Sequence, residues 1–331
     1  MNMRPKIVID LGSCNITGAT EDRVVAVPSQ IISNTQTGQT VCVGEAVRTQ
    51  PAPALPKKLV PAKRDGRLVD YQATQRVIQY MINELVSWWT LLRPHVLTAL
   101  DLQATTAESQ QVKKAVRTAG AQSVYTTKSI ILSAFGAGVS PTSSTGELVA
   151  DIGGGKTEAA VIVRGSVIVS NDISIGGNQL IRDIVTHLAD AYECSISRNQ
   201  ARHLLSDIGT AVPQDNPGKT AVTDTENGQE VVVSGNDIAT AIQASLQEVV
   251  DCVHELLQEA SAAVLTDISQ SGITIGGGVG NLTYIDRFFS RRLSVPVTVA
   301  DNPSTVVVRG GRVAWSQVSQ HPQYPRIAQA N

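Results

Sequence analysis

At 331 residues the chain is long enough for about two domains, each able to bury a core. Apolar residues make up 42% and charged residues 17%, the proportions of an ordinary folded chain, and a formal charge of −2 argues against a nucleic-acid partner, which would meet a basic face. Aromatics at 4% leave few stacking platforms, and Cys14, Cys42, Cys194 and Cys252 lie far apart without C-x-x-C spacing, so neither a zinc site nor a disulfide framework is suggested and reduced cytosolic thiols are the simple reading.

The first residues pass almost directly into a strand, with no apolar signal core and no room for an amphipathic anchor helix. No run reaches the roughly 18 to 20 apolar residues that span a bilayer. Lys6 to Thr17 reads as an apolar strand ending at Asp10, a small and polar turn (Gly12, Ser13, Asn15), and a return strand ending around Val27. Asn34 to Arg64 carries Pro51, Pro53, Pro56 and Pro61 and reads as an extended, irregular insert. After a turn at Asp65-Gly66, the spacing of Val77, Ile78, Met81, Ile82 and Leu85 predicts a helix from Tyr71 to Leu92.

Trp88, Trp89, Leu91 and Leu92 crowd one turn at the end of that helix, just before Arg93 and Pro94. Such a knob either dips into a bilayer interface, where Trp is favoured and Arg93 meets anionic head groups, or packs half of its side chains into the core. A strand over Val96 to Leu102 follows, then a helix over Ser109 to Ala119, a short strand over Ser123 to Tyr125 and a small-residue helix over Lys128 to Gly138. Pro141 to Gly146 links the halves.

Leu148 to Val163, LVADIGGGKTEAAVIV, repeats the opening design: a strand ending in Asp151, a break at Gly153, Gly154 and Gly155, and a second strand. Glycine amides approach a ligand closely, Lys156, Thr157 and Glu158 add polar groups at the rim, and Asp151 is placed to hold a hydrated divalent cation against phosphate oxygens. Gly155-Lys156-Thr157 imitates the end of a P-loop, but that motif needs a glycine where Ala150 stands and a helix after the lysine, whereas Ala159 to Val163 is β-rich. A strand over Val167 to Ile175, Gly176-Gly177, helices over Asn178 to Tyr192 and Arg198 to Ser206, a polar stretch from Pro213 to Gln229 and a strand over Glu230 to Ser234 follow. A long helix is predicted from Ile238 to Leu265. A third glycine turn closes the set, where Ile273 to Ile275 meets Gly276, Gly277 and Gly278 ahead of a helix. Val295 to Val299 and Thr305 to Val308 close the second half, and Arg309 to Val318 is a last helix returning to the first.

With three such turns in place, the chain resembles the actin, sugar-kinase and heat-shock ATPase superfamily, and within it bacterial actin of the MreB family. The matching stretches are Asp10-Leu11-Gly12-Ser13-Cys14-Asn15, Asp151 to Glu158 and Ile275 to Gly278, with Val43-Gly44-Glu45-Ala46, Gly136-Ala137-Gly138, Ile175-Gly176-Gly177 and Asp207-Ile208-Gly209 as further likenesses. The resemblance implies an α/β, actin-like ATPase fold of two similar domains around a nucleotide cleft, each with a small insert. The first domain would comprise 1–31, 64–146 and 309–331 with an insert at 32–63, and the second 147–180 and 236–308 with an insert at 181–235.

It further implies ATP held by Gly12, Ser13, Cys14, Asn15, Gly153, Gly154, Gly155, Lys156, Thr157, Gly276, Gly277 and Gly278, with Mg²⁺ held through water by Asp10 and Asp151. Filaments of the chain itself would lie on the inner face of the cytoplasmic membrane, peripheral to it and with no nucleic-acid partner. There they would organise wall synthesis and cell shape with other proteins, through a membrane loop at Trp88, Trp89, Leu91 and Leu92.

The departures are specific. Where the family has an acidic residue that orients the attacking water, this chain has Ser129, which can hold a water but cannot act as a carboxylate base, a loss of about 10²- to 10⁴-fold unless another group serves. Glu158 and Thr157 are the remaining candidates. The family's ribose-binding Glu and Lys fall on Arg202 and Leu205, of which only Arg202 could pair with a phosphate or ribose oxygen. Lys156 replaces a small polar residue, either as a cation beside the phosphates or as a solvent-facing tip. Two functions follow: an ATP-binding, membrane-associated filament protein with slow hydrolysis, or a divergent relative without nucleotide chemistry that serves as an adaptor or co-polymer.

Overall fold

The computed structural model describes residues 4–49, 56–64, 66–86, 92–318 and 328–329. Two compact units result, one of Met1–Ser143, Val163–Ser166 and Thr305–Asn331, the other of Ser144–Ile162 and Val167–Ser304.

The first unit opens on β1 (Lys6–Leu11), β2 (Asn15–Ala19) and β3 (Val24–Pro28), an antiparallel meander. Ile7, Val8 and Ile9 are all buried, so β1 is covered on both faces, as its unbroken apolar run requires. The stretch expected to be irregular is instead a small sheet. β4 (Gln30–Asn34) pairs with β5 (Thr40–Cys42) and, beyond the short helix α1 (Ala46–Thr49), with β6 (Lys57–Pro61). Pro61 is tolerated because it ends its strand, where no further ladder donor is needed. A two-residue pair, β7 (Lys63–Arg64) and β8 (Arg67–Leu68), leads into α2 (Tyr71–Leu85), whose first turn is capped by the Asp70 carboxylate accepting from the Ala73 amide.

That helix stops earlier than expected. Its apolar stripe ends at Leu85, and Val86 is extended at φ −106°, ψ 123°. Trp88, Trp89 and Leu91 lie outside the described residues, and Leu92 is half-buried in a bend.

β9 (His95–Leu100) runs parallel to β1, α3 (Thr106–Thr118) starts with a reciprocal Thr105–Glu108 cap, β10 (Ser123–Lys128) runs parallel to β9, and α4 (Ser129–Gly136) follows at once.

The second unit repeats the scheme. β11 (Glu147–Ile152), β12 (Thr157–Val163) and β13 (Ser166–Ile173) are consecutive neighbours, followed by α5 (Gly177–Tyr192), α6 (Arg198–Asp207) and the hairpin β14 (Lys219–Thr223) with β15 (Glu230–Ser234). The long helix predicted to Leu265 is two. α7 (Gly235–Glu259) ends where Ala260 turns extended at ψ 144°, and Ser261 accepts from the Val264 amide to start α8 (Ala262–Ser271). β16 (Ile273–Gly276) runs parallel to β11, a 3₁₀ turn spans Gly278–Asn281, and α9 (Ile285–Leu293) leads to β17 (Val297–Val299) parallel to β16. The order β13-β12-β11-β16-β17 matches β3-β2-β1-β9-β10 strand for strand.

The chain then returns to the first unit. The last helix, expected from Arg309, opens three residues earlier: Val306 begins α10 (Val306–Val318), and the low helix propensity of its β-branched residues is overruled by burial of Val306 and Val308. α10 crosses α4 backbone to backbone, because a Cβ on Gly136 would collide with the Val306 carbonyl and one on Gly310 with the Leu132 carbonyl. The two residues of β18 (Ala328–Gln329) pair with β10.

Candidate functional site

Each unit carries a tight turn at the end of its first strand. In the first unit Asp10 stands half-buried one residue before the end of β1, and the turn closes so sharply that a Cβ on Gly12 would strike the Asn15 carbonyl. Gly12, Ser13, Cys14 and Asn15 are all half-exposed. The Ser13 hydroxyl accepts from the Gly66 amide at 3.3 Å, and the Asn15 side-chain oxygen accepts from the Arg48 guanidinium at 2.5 Å. Arg48 also pairs with Glu45 at 3.2 Å. Sequence reasoning passed over Arg48, since nothing in its spacing announces that it sits on the turn at Asn15.

In the second unit the Gly153 amide donates to the Lys156 carbonyl at 2.9 Å and closes the hairpin tip. The Gly153 carbonyl accepts from Gly177 at 3.0 Å and the Gly154 carbonyl from Asn178 at 2.7 Å, which satisfies two otherwise orphan donors at the start of α5. A trans peptide sets its C=O and the next N–H in opposite directions. The amides of Gly154 and Gly155 therefore point away from α5, the arrangement of successive backbone donors from which anion sites are made. Gly176 has no room for a side chain, since a Cβ would sit 2.5 Å from the Gly153 carbonyl.

The charges on this hairpin are arranged by its register. Asp151 is the cross-strand partner of Glu158, so both carboxylates project from one face, an arrangement that is unfavourable alone. Lys156 supplies the counter-charge: its ammonium lies 2.6 Å from Glu158 and 3.9 Å from Asp172 on β13. With side chains only 15% and 5% exposed, Lys156 and Glu158 form a sheltered pair, which excludes the solvent-facing alternative for Lys156. Thr157 alternates to the other face, fully buried, and its hydroxyl donates to the Ile175 carbonyl at 2.8 Å. The catalytic hydroxyl expected there is thus committed to the fold.

The third turn adjoins the second. Gly276 is the register partner of Asp151, and Gly277, at φ +82°, passes so close to that strand that a Cβ would lie 2.5 Å from an Asp151 carboxylate oxygen. Gly278 is exposed at the start of the 3₁₀ turn. The end of α6 is tied here, through the Ala211 amide donating to Thr283 at 2.8 Å. On α6 itself, Arg202 is exposed and bonds to Asn199 on its own helix at 3.0 Å, while Leu205 is half-buried. Ser129 opens α4 in the first unit, 9% exposed.

Among the described residues no group of three or more His, Cys, Asp or Glu is placed to hold a metal ion. Within each unit a carboxylate near the end of the first strand, Asp10 or Asp151, is the kind of donor that a largely hydrated Mg²⁺ ion takes, rather than an all-protein cage.

Two units of the same strand order, each with a glycine turn after its first strand, define an α/β protein of the actin-like type. The chain belongs to the MreB/Mbl protein family, whose model matches residues 4–323. It is 30% identical over 264 residues to the cell shape-determining protein MreB of Escherichia coli K12, covering 78% of this chain and 76% of that one. It is also 26% identical over 325 residues to the cell shape-determining protein Mbl of Bacillus subtilis, covering 96% and 97%. The crystal structure of MreB5 of Spiroplasma citri bound to AMPPNP superposes with a TM-score of 0.90 at 25% identity, over 97% of this chain and 98% of that one. A MamK double helical filament shares the fold, with a TM-score of 0.80 at 14% identity over 94% and 99%. The chain is therefore a bacterial actin-like cytoskeletal protein.

Proposed function

We propose that this chain binds ATP with Mg²⁺ and polymerises with itself into filaments on the inner face of the cytoplasmic membrane, where they organise cell shape and wall synthesis. The observation that carries the nucleotide reading is the pair of Gly154 and Gly155 amides turned away from α5, beside a hairpin that carries Asp151 next to the end of its first strand. The first-unit turn, Gly12, Ser13, Cys14 and Asn15, is built to the same plan, and Gly276, Gly277 and Gly278 would line the base. A related MreB5 binds AMPPNP and, in a second structure, ADP. Asp10 and Asp151 would hold Mg²⁺ through water, and the ion would neutralise phosphate charge.

Hydrolysis is slow on this reading, because Ser129 offers no carboxylate and Glu158, a weak substitute, is paired with Lys156. Membrane attachment rests on Trp88, Trp89, Leu91 and Leu92, since no helix among the described residues is long and apolar enough to cross a bilayer. Replacing those four with polar residues abolishes liposome sedimentation and leaves the fold intact; unchanged sedimentation removes the membrane reading.

The second reading, an adaptor or co-polymer without nucleotide chemistry, draws on Arg202 being bonded within its own helix and exposed. Pelleting on anionic liposomes with ATP, with AMPPNP and without nucleotide, alongside phosphate release, separates the two. Filaments with either nucleotide and little phosphate support the first; no nucleotide dependence supports the second.

A further inference from the structure

We propose that Lys156 is the residue by which this chain tells a nucleoside triphosphate from a diphosphate, by exchanging its partner Glu158 for the terminal phosphate. The inference rests on the nucleotide reading above and adds a specificity determinant to it.

Four charged side chains converge at the tip of the second hairpin. Asp151 and Glu158 share a face by register, Lys156 lies 2.6 Å from Glu158, and Asp172 reaches within 3.9 Å of the same ammonium. Three carboxylates against one ammonium leave the cluster formally negative. A triphosphate brought to the Gly154 and Gly155 amides meets these carboxylates, and of the four side chains the one that can turn to a phosphate is the lysine, a point charge on a flexible stem. Its backbone is fixed at the tip by the Gly153 amide, so only the side chain need move.

A phosphate bears more charge than a carboxylate and offers more acceptor oxygens, so the ammonium gains by the exchange when the terminal phosphate is present. When it is absent, Lys156 stays with Glu158.

The test is calorimetric binding of AMPPNP and ADP, with Mg²⁺, to wild type, Lys156→Met, Glu158→Gln and the double variant. Lys156→Met weakens AMPPNP about tenfold or more and ADP less than about threefold. Glu158→Gln, which frees the lysine, tightens AMPPNP, a sign that a merely structural ion pair would not give. Because Lys156→Met strands a buried carboxylate and can unfold the chain, the double variant, which removes both partners and keeps the cluster's net charge, carries the same comparison. In it the tightening by Glu158→Gln disappears. If the tightening survives without Lys156, or if Lys156→Met weakens both nucleotides alike, the exchange is refuted while nucleotide binding stands. If wild type binds neither nucleotide, the nucleotide reading itself fails and takes this proposal with it.

Discussion

Replacing Gly310 with alanine tests whether the last helix holds the first unit together. A Cβ there would lie 2.7 Å from the Leu132 carbonyl carbon and 2.7 Å from the Gly136 nitrogen, and closer still to the Leu132 oxygen. Ordinary contact needs about 3.5 Å, so relieving the clash with the Leu132 oxygen parts α4 and α10 by roughly 1.5 Å at the crossing. Overpacking of this kind costs about 1–3 kcal/mol, and here the upper end applies because both obstacles are backbone atoms that cannot rotate aside. Alanine returns about 1 kcal/mol through its better helix propensity, leaving a net loss of about 2 kcal/mol. For a unit of this size that lowers the melting temperature by about 4–8 °C, measured by differential scanning calorimetry. A melting temperature that is unchanged or raised would refute the close crossing. Since Ser129 opens α4, the same shift displaces the residue that stands at the family's water-orienting position.

Burial, with Arg4 and Lys6 nearby, holds the His95 imidazole below its ordinary pKa. The unfolded chain then binds the proton first, so stability is full above about pH 6.5 and falls as pH drops from there through the lower folded value; His95→Gln should flatten that fall in thermal melts. Alkylation at about pH 8, read by peptide mass spectrometry, should modify half-exposed Cys14 and Cys42 and spare Cys252, whose thiol burial pushes up to about 11. On the nucleotide reading AMPPNP slows modification of Cys14 and leaves that of Cys42 unchanged; equal protection of both argues for general stabilisation instead. Gly277→Ala forces a side chain into φ +82° against Asp151, at a cost of about 1–2 kcal/mol from the backbone alone, and should abolish nucleotide binding before it abolishes folding. Retained binding with native helicity would show that the third turn is no part of the site.

Much of the architecture was legible because strand ends, glycines and acidic residues are local signals. The hairpin at Asp151 to Glu158 announces itself by an apolar run, a glycine break and a β-rich return, and the copy at Asp10 shows that the design is repeated. Other local signals were present and read past. Ser261, followed by Val264, starts a second helix inside what periodicity alone presents as one, since apolar spacing continues smoothly across the break. Lys57 to Pro61 reads as a proline-rich link until Gln30 to Asn34 is placed beside it, because a strand is completed only by its neighbour.

Tertiary structure alone decided the chemistry of the tip. Lys156, Thr157 and Glu158 are successive rim residues in the sequence, with nothing to rank them. Folding sends Thr157 to the buried face and its hydroxyl to Ile175, while Lys156 is drawn onto Glu158 and Asp172 and Glu158 is set opposite Asp151. Arg48 reaches Asn15, and Val306 to Val308 join the last helix where Gly136 and Gly310 let two backbones touch. The sequence by itself determined where the turns lie and which residues could bind a ligand. Which of those residues are already committed to one another depends on partners distant along the chain, and only the packed structure brings them within reach.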